Sequence, residues 1–139
     1  MTPQIVLISC VKQKRDLPCK AGEMYTSALF SKMMRYAQSL NPKALYILSA
    51  KYGLLDVDEV IEPYEKTLNN MKIEERRSWA DIVLTSLADR CDIVSDHFVV
   101  LAGQRYREFL VPRLSHTSIP LKGLPLGMQL KWLEEKARV

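Results

Sequence analysis

Three short polar stretches, each following an apolar run, hold the residues best suited to chemistry: "SCVKQK" at 9–14, "SAKYG" at 49–53 and "GQRY" at 103–106. In the first, the Ser9 hydroxyl, the backbone N–H groups beside Cys10, and the Lys12 and Lys14 ammonium groups could hold a phosphate or a sugar oxygen. In the second, which opens with Ser49, Lys51 could neutralise a phosphate and Tyr52 could stack on a base or hydrogen-bond to it. Gly53 lets the chain turn or approach a ligand closely. In the third, Gly103 ends the apolar run, Gln104 could read a base edge and Tyr106 could stack. A helix starting there would also direct N–H groups at an anion.

The connection after Gly53 adds acid. "EPYE" at 62–65 places two carboxylates and the Tyr64 ring around a rigid Pro-Tyr turn. A carboxylate there could orient or deprotonate a water, or stabilise positive charge developing on a sugar. Glu62 is preferred over Asp56, Asp58, Glu59 and Glu65 because it abuts that turn, with Asp58 as the second choice. The expected catalytic set is Glu62, Asp58 and Lys51. The expected substrate-binding set is Ser9, Cys10, Lys12, Lys14, Ser49, Tyr52, Gly53, Tyr64, Gly103, Gln104 and Tyr106.

Other chemistries find less support. A thiol nucleophile needs a histidine or another group to hold the thiolate, and neither His97 nor His116 is placed beside Cys10 in the sequence. The three cysteines, Cys10, Cys19 and Cys91, form neither a disulfide framework nor a Cys-x-x-Cys pair, and read as free thiols. With two distant histidines, no metal is expected, and no cofactor either. Neither the phosphate-binding loop of P-loop ATPases nor the dinucleotide glycine fingerprint is present.

These stretches need elements to position them. Gln4–Cys10 is a continuous apolar run that fits a strand covered on both faces. Residues 11–23 are polar and read as a loop; Thr26 or Ser27 caps a helix whose apolar stripe includes Phe30, Met33, Met34 and Ala37, and Asn41-Pro42 stops it. Ala44–Ser49 is a second strand and residues 50–70 a long connection. Lys72–Cys91 is a long amphipathic helix in which "KIEERR" at 72–77 reads as a solvated face. His97–Ala102 is a third strand, residues 104–111 carry a helical pattern, Thr117–Leu121 is a fourth strand and Met128–Arg138 a last helix. Trp79 and Trp132 read as core.

Strand–helix alternation repeated four times predicts an α/β fold with a four-stranded, mostly parallel sheet covered on both faces. In such a sheet the binding crevice lies beyond the carboxyl ends of the strands, where all three polar stretches fall. The 139 residues fit one domain spanning 1–139. Twenty Lys plus Arg against sixteen Asp plus Glu give a formal charge of +4, compatible with nucleic acid or nucleotide partners but no footprint alone. Without a signal-like leader or an apolar run near 18 residues, the expectation is a cytoplasmic protein with no membrane partner.

Five pieces, "ISCVKQK" at 8–14, "MYTSALFSKMMRYA" at 24–37, "LYILSAKYGLLDVDEVIEPYEKTL" at 45–68, "LAGQRYREFL" at 101–110 and "PLKGLPLGMQLKWL" at 120–133, carry a resemblance over nearly the full length. They resemble an uncharacterised family of small bacterial and phage α/β proteins (DUF6884-like). At fold level the pattern is similar to the uracil-DNA glycosylase superfamily and to domains of enzymes that insert or modify deazaguanine bases in tRNA. That resemblance implies a three-layer α/β/α sandwich whose loops accept a flipped base and its phosphate. It also implies an N-glycosidic cleavage or exchange built on the residues named above. One departure is plain: where those glycosylases carry Asp or Asn with Pro and Tyr after the first strand, this chain has Ser9-Cys10-Val11-Lys12. Two further readings stay open: a non-catalytic module that binds nucleic acid or a nucleotide through the same pocket, and a phosphate-handling or thiol enzyme.

Overall fold

The computed structural model describes residues 4–11 and 13–137. In chain order, β1 (Gln4–Ser9) leads through β2 (Cys19–Lys20) and the one-turn α1 (Ala21–Met24) to α2 (Ala28–Ser39). Then come β3 (Ala44–Ser49), β4 (Gly53–Asp56), β5 (Val60–Ile61), a 3-10 turn at Leu68–Asn70 and the long α3 (Ile73–Ala88). The chain finishes with β6 (His97–Leu101), the short α4 (Gln104–Arg107), a 3-10 turn at Val111–Arg113, β7 (His116–Ser118) and α5 (Leu126–Lys136).

The main sheet has five strands in the order β4-β3-β1-β6-β7. Its centre is β1, whose Ile5, Val6, Leu7 and Ile8 are all fully buried, so both faces of the strand are covered. That burial is what a run without polar alternation requires. β3 and β6 flank it in parallel, with Ile5 opposite both Ala44 and Phe98, and β7 continues the parallel set beyond β6. α2 packs against β1 and α5, while α3 packs against β4 and α4. Ser27 begins α2 by accepting the Phe30 N–H at 3.1 Å, and Phe30, Met33 and Ala37 face the core. Asn41, at φ 49°, carries the chain out of that helix ahead of Pro42.

The structure corrects the four-stranded expectation. The sheet is mixed, because β4 runs antiparallel to β3 at one edge, with Leu48 opposite Leu54 and Ser49 opposite Gly53. "GLLD" is too short to show a two-residue alternation, which is why residues 50–70 read as plain connection. The turn depends on Gly53, whose φ of +75° lies in the left-handed region. Beyond it β5 pairs with β2 in a separate two-stranded ribbon, Cys19 opposite Ile61, within what also read as loop.

The fourth parallel strand is His116–Ser118 rather than Thr117–Leu121, since it pairs only with the first three residues of β6. The "KIEERR" face is not wholly solvated either. Arg76 is 9% exposed, donates from Nε to Glu108 at 2.6 Å and from a terminal nitrogen to the Met71 carbonyl at 2.6 Å. A buried guanidinium with both a carboxylate and a carbonyl is satisfied, and it locks α3 to α4. Among the described residues no helix is long and apolar enough to cross a membrane.

Gly53→Ala should lower stability by about 1 kcal/mol. A left-handed backbone costs a Cβ-bearing residue roughly 1–2 kcal/mol, partly offset by the stiffer unfolded chain. An added Cβ would meet nothing closer than an Ile82 methyl at 3.7 Å, so sterics contribute little. Urea denaturation at unchanged slope measures it.

Candidate functional site

The carboxyl ends of β1, β3 and β6 fall on one edge of the sheet, and the segment joining β5 to α3 crosses back over them. Between that segment and the β1 and β6 exits lies a cavity of about 670 Å³. Cys10, Lys14, Tyr64 and Tyr106 contribute to its wall. Glu65, Lys66, Thr67, Asn69 and Asn70 supply charge and amides from the crossing segment. The volume falls within the roughly 300–1,000 Å³ typical of small-ligand sites.

The wall at β1 is rigid. Cys10 donates its backbone N–H to Leu48 O at 2.9 Å, extending the ladder one residue past the strand, and its thiol donates to the Tyr106 hydroxyl at 3.3 Å. The loop that follows is pinned to the segment before α2, with Thr26 N donating to Gln13 O at 3.0 Å and Arg15 N to Met24 O at 2.8 Å. The Lys14 ammonium therefore sits 4.6 Å from the Tyr64 ring centroid and 5.8 Å from that of Tyr25, within cation–π range. Burial pulls the Lys14 amine below its ordinary range, and the nearby Glu65 charge opposes that pull.

Behind the cavity runs a chain of buried hydroxyls. Ser49, fully buried at the end of β3, donates to the Tyr64 hydroxyl at 2.7 Å, and Tyr64 shares a second bond of 2.7 Å with Tyr25. The Ser49 oxygen also accepts the Tyr52 N–H at 3.0 Å. The Ser49 carbonyl accepts the Trp79 indole N–H at 2.8 Å. Burial pushes the Tyr25, Tyr64 and Tyr106 phenols well above the ordinary tyrosine range. All three stay neutral at physiological pH and act as hydrogen-bonding groups, not as anions.

The expected residues divide. Cys10, Lys14, Tyr64 and Tyr106 meet at this cavity. Ser9 and Ser49 are buried at the strand ends, Ser49 behind Tyr64. Lys51, Tyr52 and Gly53 line a neighbouring cavity of about 420 Å³ against α3. Gly103 and Gln104 are exposed beside the cavity without lining it, and Gly103 has an ordinary φ of −68°. Lys12 lies outside the described residues.

The acids divide too. Asp58 is on the surface, 3.8 Å from Lys20, and Glu62 is exposed. What Glu62 contributes locally is backbone: its N–H donates to the Tyr52 hydroxyl at 3.3 Å, and its carbonyl accepts from the same hydroxyl at 3.4 Å. The carboxylate on the cavity is Glu65. Lys66, Thr67, Asn69 and Asn70 are further lining residues that sequence reasoning missed. The available signal was the polar "EKTLNN" directly after the Pro-Tyr turn. Among the described residues no group of three or more His, Cys, Asp or Glu side chains is arranged to hold a metal ion.

The chain is thus an α/β protein with a mixed sheet and a polar cavity over the carboxyl ends of its parallel strands, the edge at which open sheets carry their binding crevices. The chain belongs to the family of unknown function DUF6884, whose family model matches residues 5–135. No curated protein and no solved structure matches it.

Two consequences of the hydroxyl chain are measurable. Tyr64→Phe leaves Ser49 and Tyr25 short of a buried partner and should lower stability by about 1–3 kcal/mol in chemical denaturation. The raised phenols also set a pH dependence. An unfolded tyrosine releases its proton near pH 10, whereas the folded ones hold theirs to higher pH. Their contribution is complete below about pH 10 and is lost as pH rises beyond it. An alkaline absorbance titration should show these phenols silent until the chain unfolds.

Proposed function

We propose that the cavity receives a nucleobase with its sugar and phosphate, in nucleic acid or as a nucleotide, and that its chemistry is cleavage or exchange of the N-glycosidic bond. The observation that carries this reading is the meeting of Glu65, Lys14 and two neutral tyrosines with a pair of amides in one cavity. The resemblance to the uracil-DNA glycosylase superfamily and its three-layer sandwich supports it. So does the parallel set β3-β1-β6-β7 within the mixed sheet.

In this reading Lys14 and Lys66 hold phosphate. Asn69 and Asn70, each with amide donors and a carbonyl acceptor, read the base edge, and Tyr64 and Tyr106 wall the base. The bond from C1′ to the base nitrogen breaks with its electron pair leaving on the base. Positive charge then develops over C1′ and the ring oxygen, and the Glu65 carboxylate stabilises it. Water adds its oxygen to C1′ and gives its proton to Glu65, which passes it to the departed base nitrogen. In exchange, a second base takes the place of water. The acid role shifts from Glu62 to Glu65 because Glu65 lines the cavity, while Glu62 and Asp58 serve as comparison positions.

One observation favours the other reading, a module that binds without cleaving. Glu65 is solvent-exposed, and a solvated carboxylate gains little of the strengthening that a low-dielectric site gives.

A base-release assay on DNA, RNA and free nucleotides separates the two. Wild type should release free base, Glu65→Gln should lose roughly 10²–10⁴-fold in rate with binding kept, and Glu62→Gln should stay close to wild type. No release from any substrate, with salt-sensitive binding that Lys14→Ala removes, would leave a binding module.

A further inference from the structure

The neighbouring cavity of about 420 Å³ has no role in the single-base chemistry above, although it holds Lys51, Tyr52 and Gly53. It differs from the first cavity in character. Its wall is more apolar, with Met71, Trp79 and Ile82 beside the Tyr52 ring. Ile82 is 61% exposed on α3, so its side chain is open to contact from the cavity side. Trp79 is fixed by its bond to the Ser49 carbonyl, and Tyr52 by its hydroxyl contacts to the Glu62 backbone, so these flat groups are held in place before any ligand arrives.

Among the described residues the two cavities share one lining residue. Lys66 lines both, and Lys51 stands on the rim of the second with its ammonium 5.2 Å from the Tyr52 ring centroid. Charge places a constraint on what fits. Glu74 and Glu75 lie on the wall of the second cavity, so a phosphate on its floor would meet like charge. An uncharged base against the apolar groups, with its phosphate at the Lys66 ridge between the cavities, meets none of that repulsion. Cations that follow a backbone and apolar or aromatic surfaces that take successive bases are the two parts of a single-strand site.

We infer that the two cavities are successive nucleotide subsites of one strand, and that the ligand is an oligonucleotide of at least two units rather than a free nucleotide. The inference rests on the nucleobase reading of the first cavity and adds the second subsite to it. Lys66 holds the linking phosphate, and Tyr52, Met71 and Ile82 take the neighbouring base.

The test is calorimetric binding of mononucleotides, dinucleotides and six-nucleotide strands of mixed sequence, in DNA and RNA forms. Wild type should bind the dinucleotide at least about tenfold more tightly than the mononucleotide, within what one stacked base contributes. In Ile82→Glu and Lys51→Glu, both at exposed positions that tolerate substitution, the ratio of the two affinities should fall towards one. A ratio near one in wild type, or a ratio that survives both substitutions, overturns the second subsite while the first-cavity reading stands. Absence of binding at every length overturns both.

Discussion

Ser49 sits with its side chain fully buried at the point where an apolar strand ends, and a hydroxyl there must find partners inside the protein. It finds them in three directions. Its hydroxyl donates to Tyr64 and accepts from the Tyr52 backbone, while its carbonyl takes the Trp79 indole. One residue thereby ties together the β3 exit, the segment that crosses the strand ends, and α3. Tyr64 extends the tie to Tyr25 and so to the segment ahead of α2. Removing any one member leaves its buried neighbours short of a hydrogen-bond partner.

That chain, with Tyr106 bonded to Cys10 beside it, also sets the electrostatics of the cavity wall. With Tyr25, Tyr64 and Tyr106 held protonated by burial, the back wall is neutral. Charge enters from the β1 loop through Lys14 and from the crossing segment through Glu65 and Lys66. Lys14 rests over the face of a neutral ring, where the quadrupole compensates part of its lost hydration. A cation supported in this way is oriented but only partly solvated. In the proposed reading, the neutral wall meets the base while Lys14 and Lys66 meet its phosphate.

The three long strands were legible because each is built around an uninterrupted apolar run of four or five residues, too short for a helix and rich in β-branched or aromatic side chains. Their exits were legible with them, which placed Cys10, Lys14 and Tyr106 on the sheet edge where the cavity lies. The strand β4 was not, since two leucines between Gly53 and Asp56 carry no period. Which acid lines the cavity was not legible, for a tertiary reason. Along the crossing segment Ile61 and Tyr64 turn inward while Glu62 is held outward, its backbone gripped by the Tyr52 hydroxyl. Adjacency to the Pro63-Tyr64 turn, the feature that favoured Glu62, holds for Glu65 as well and does not say which faces the cavity. Arg76 was hidden similarly: its partner Glu108 lies 32 residues away, so a buried guanidinium looks in sequence like any other surface arginine.

The antiparallel hairpin explains why one expected pocket became two cavities. A parallel strand normally sends its exit loop outward over the sheet edge, where it can meet the loops of its neighbours. β3 instead reverses within residues 50–52, and Gly53 at φ +75° makes that reversal possible. Lys51 and Tyr52 are thereby drawn towards α3 and away from the β1 and β6 exits, into the wall they share with Trp79 and Ile82. The space over β1 and β6 is then closed by the later segment, which brings Tyr64 to Ser49 and leaves Glu65, Lys66 and the two asparagines around the opening. Lys66, which lines both cavities, stands two residues beyond the anchored Tyr64 on that segment. The hydroxyl at the end of β3 therefore governs both spaces, through a residue that lines the first and a tryptophan that lines the second.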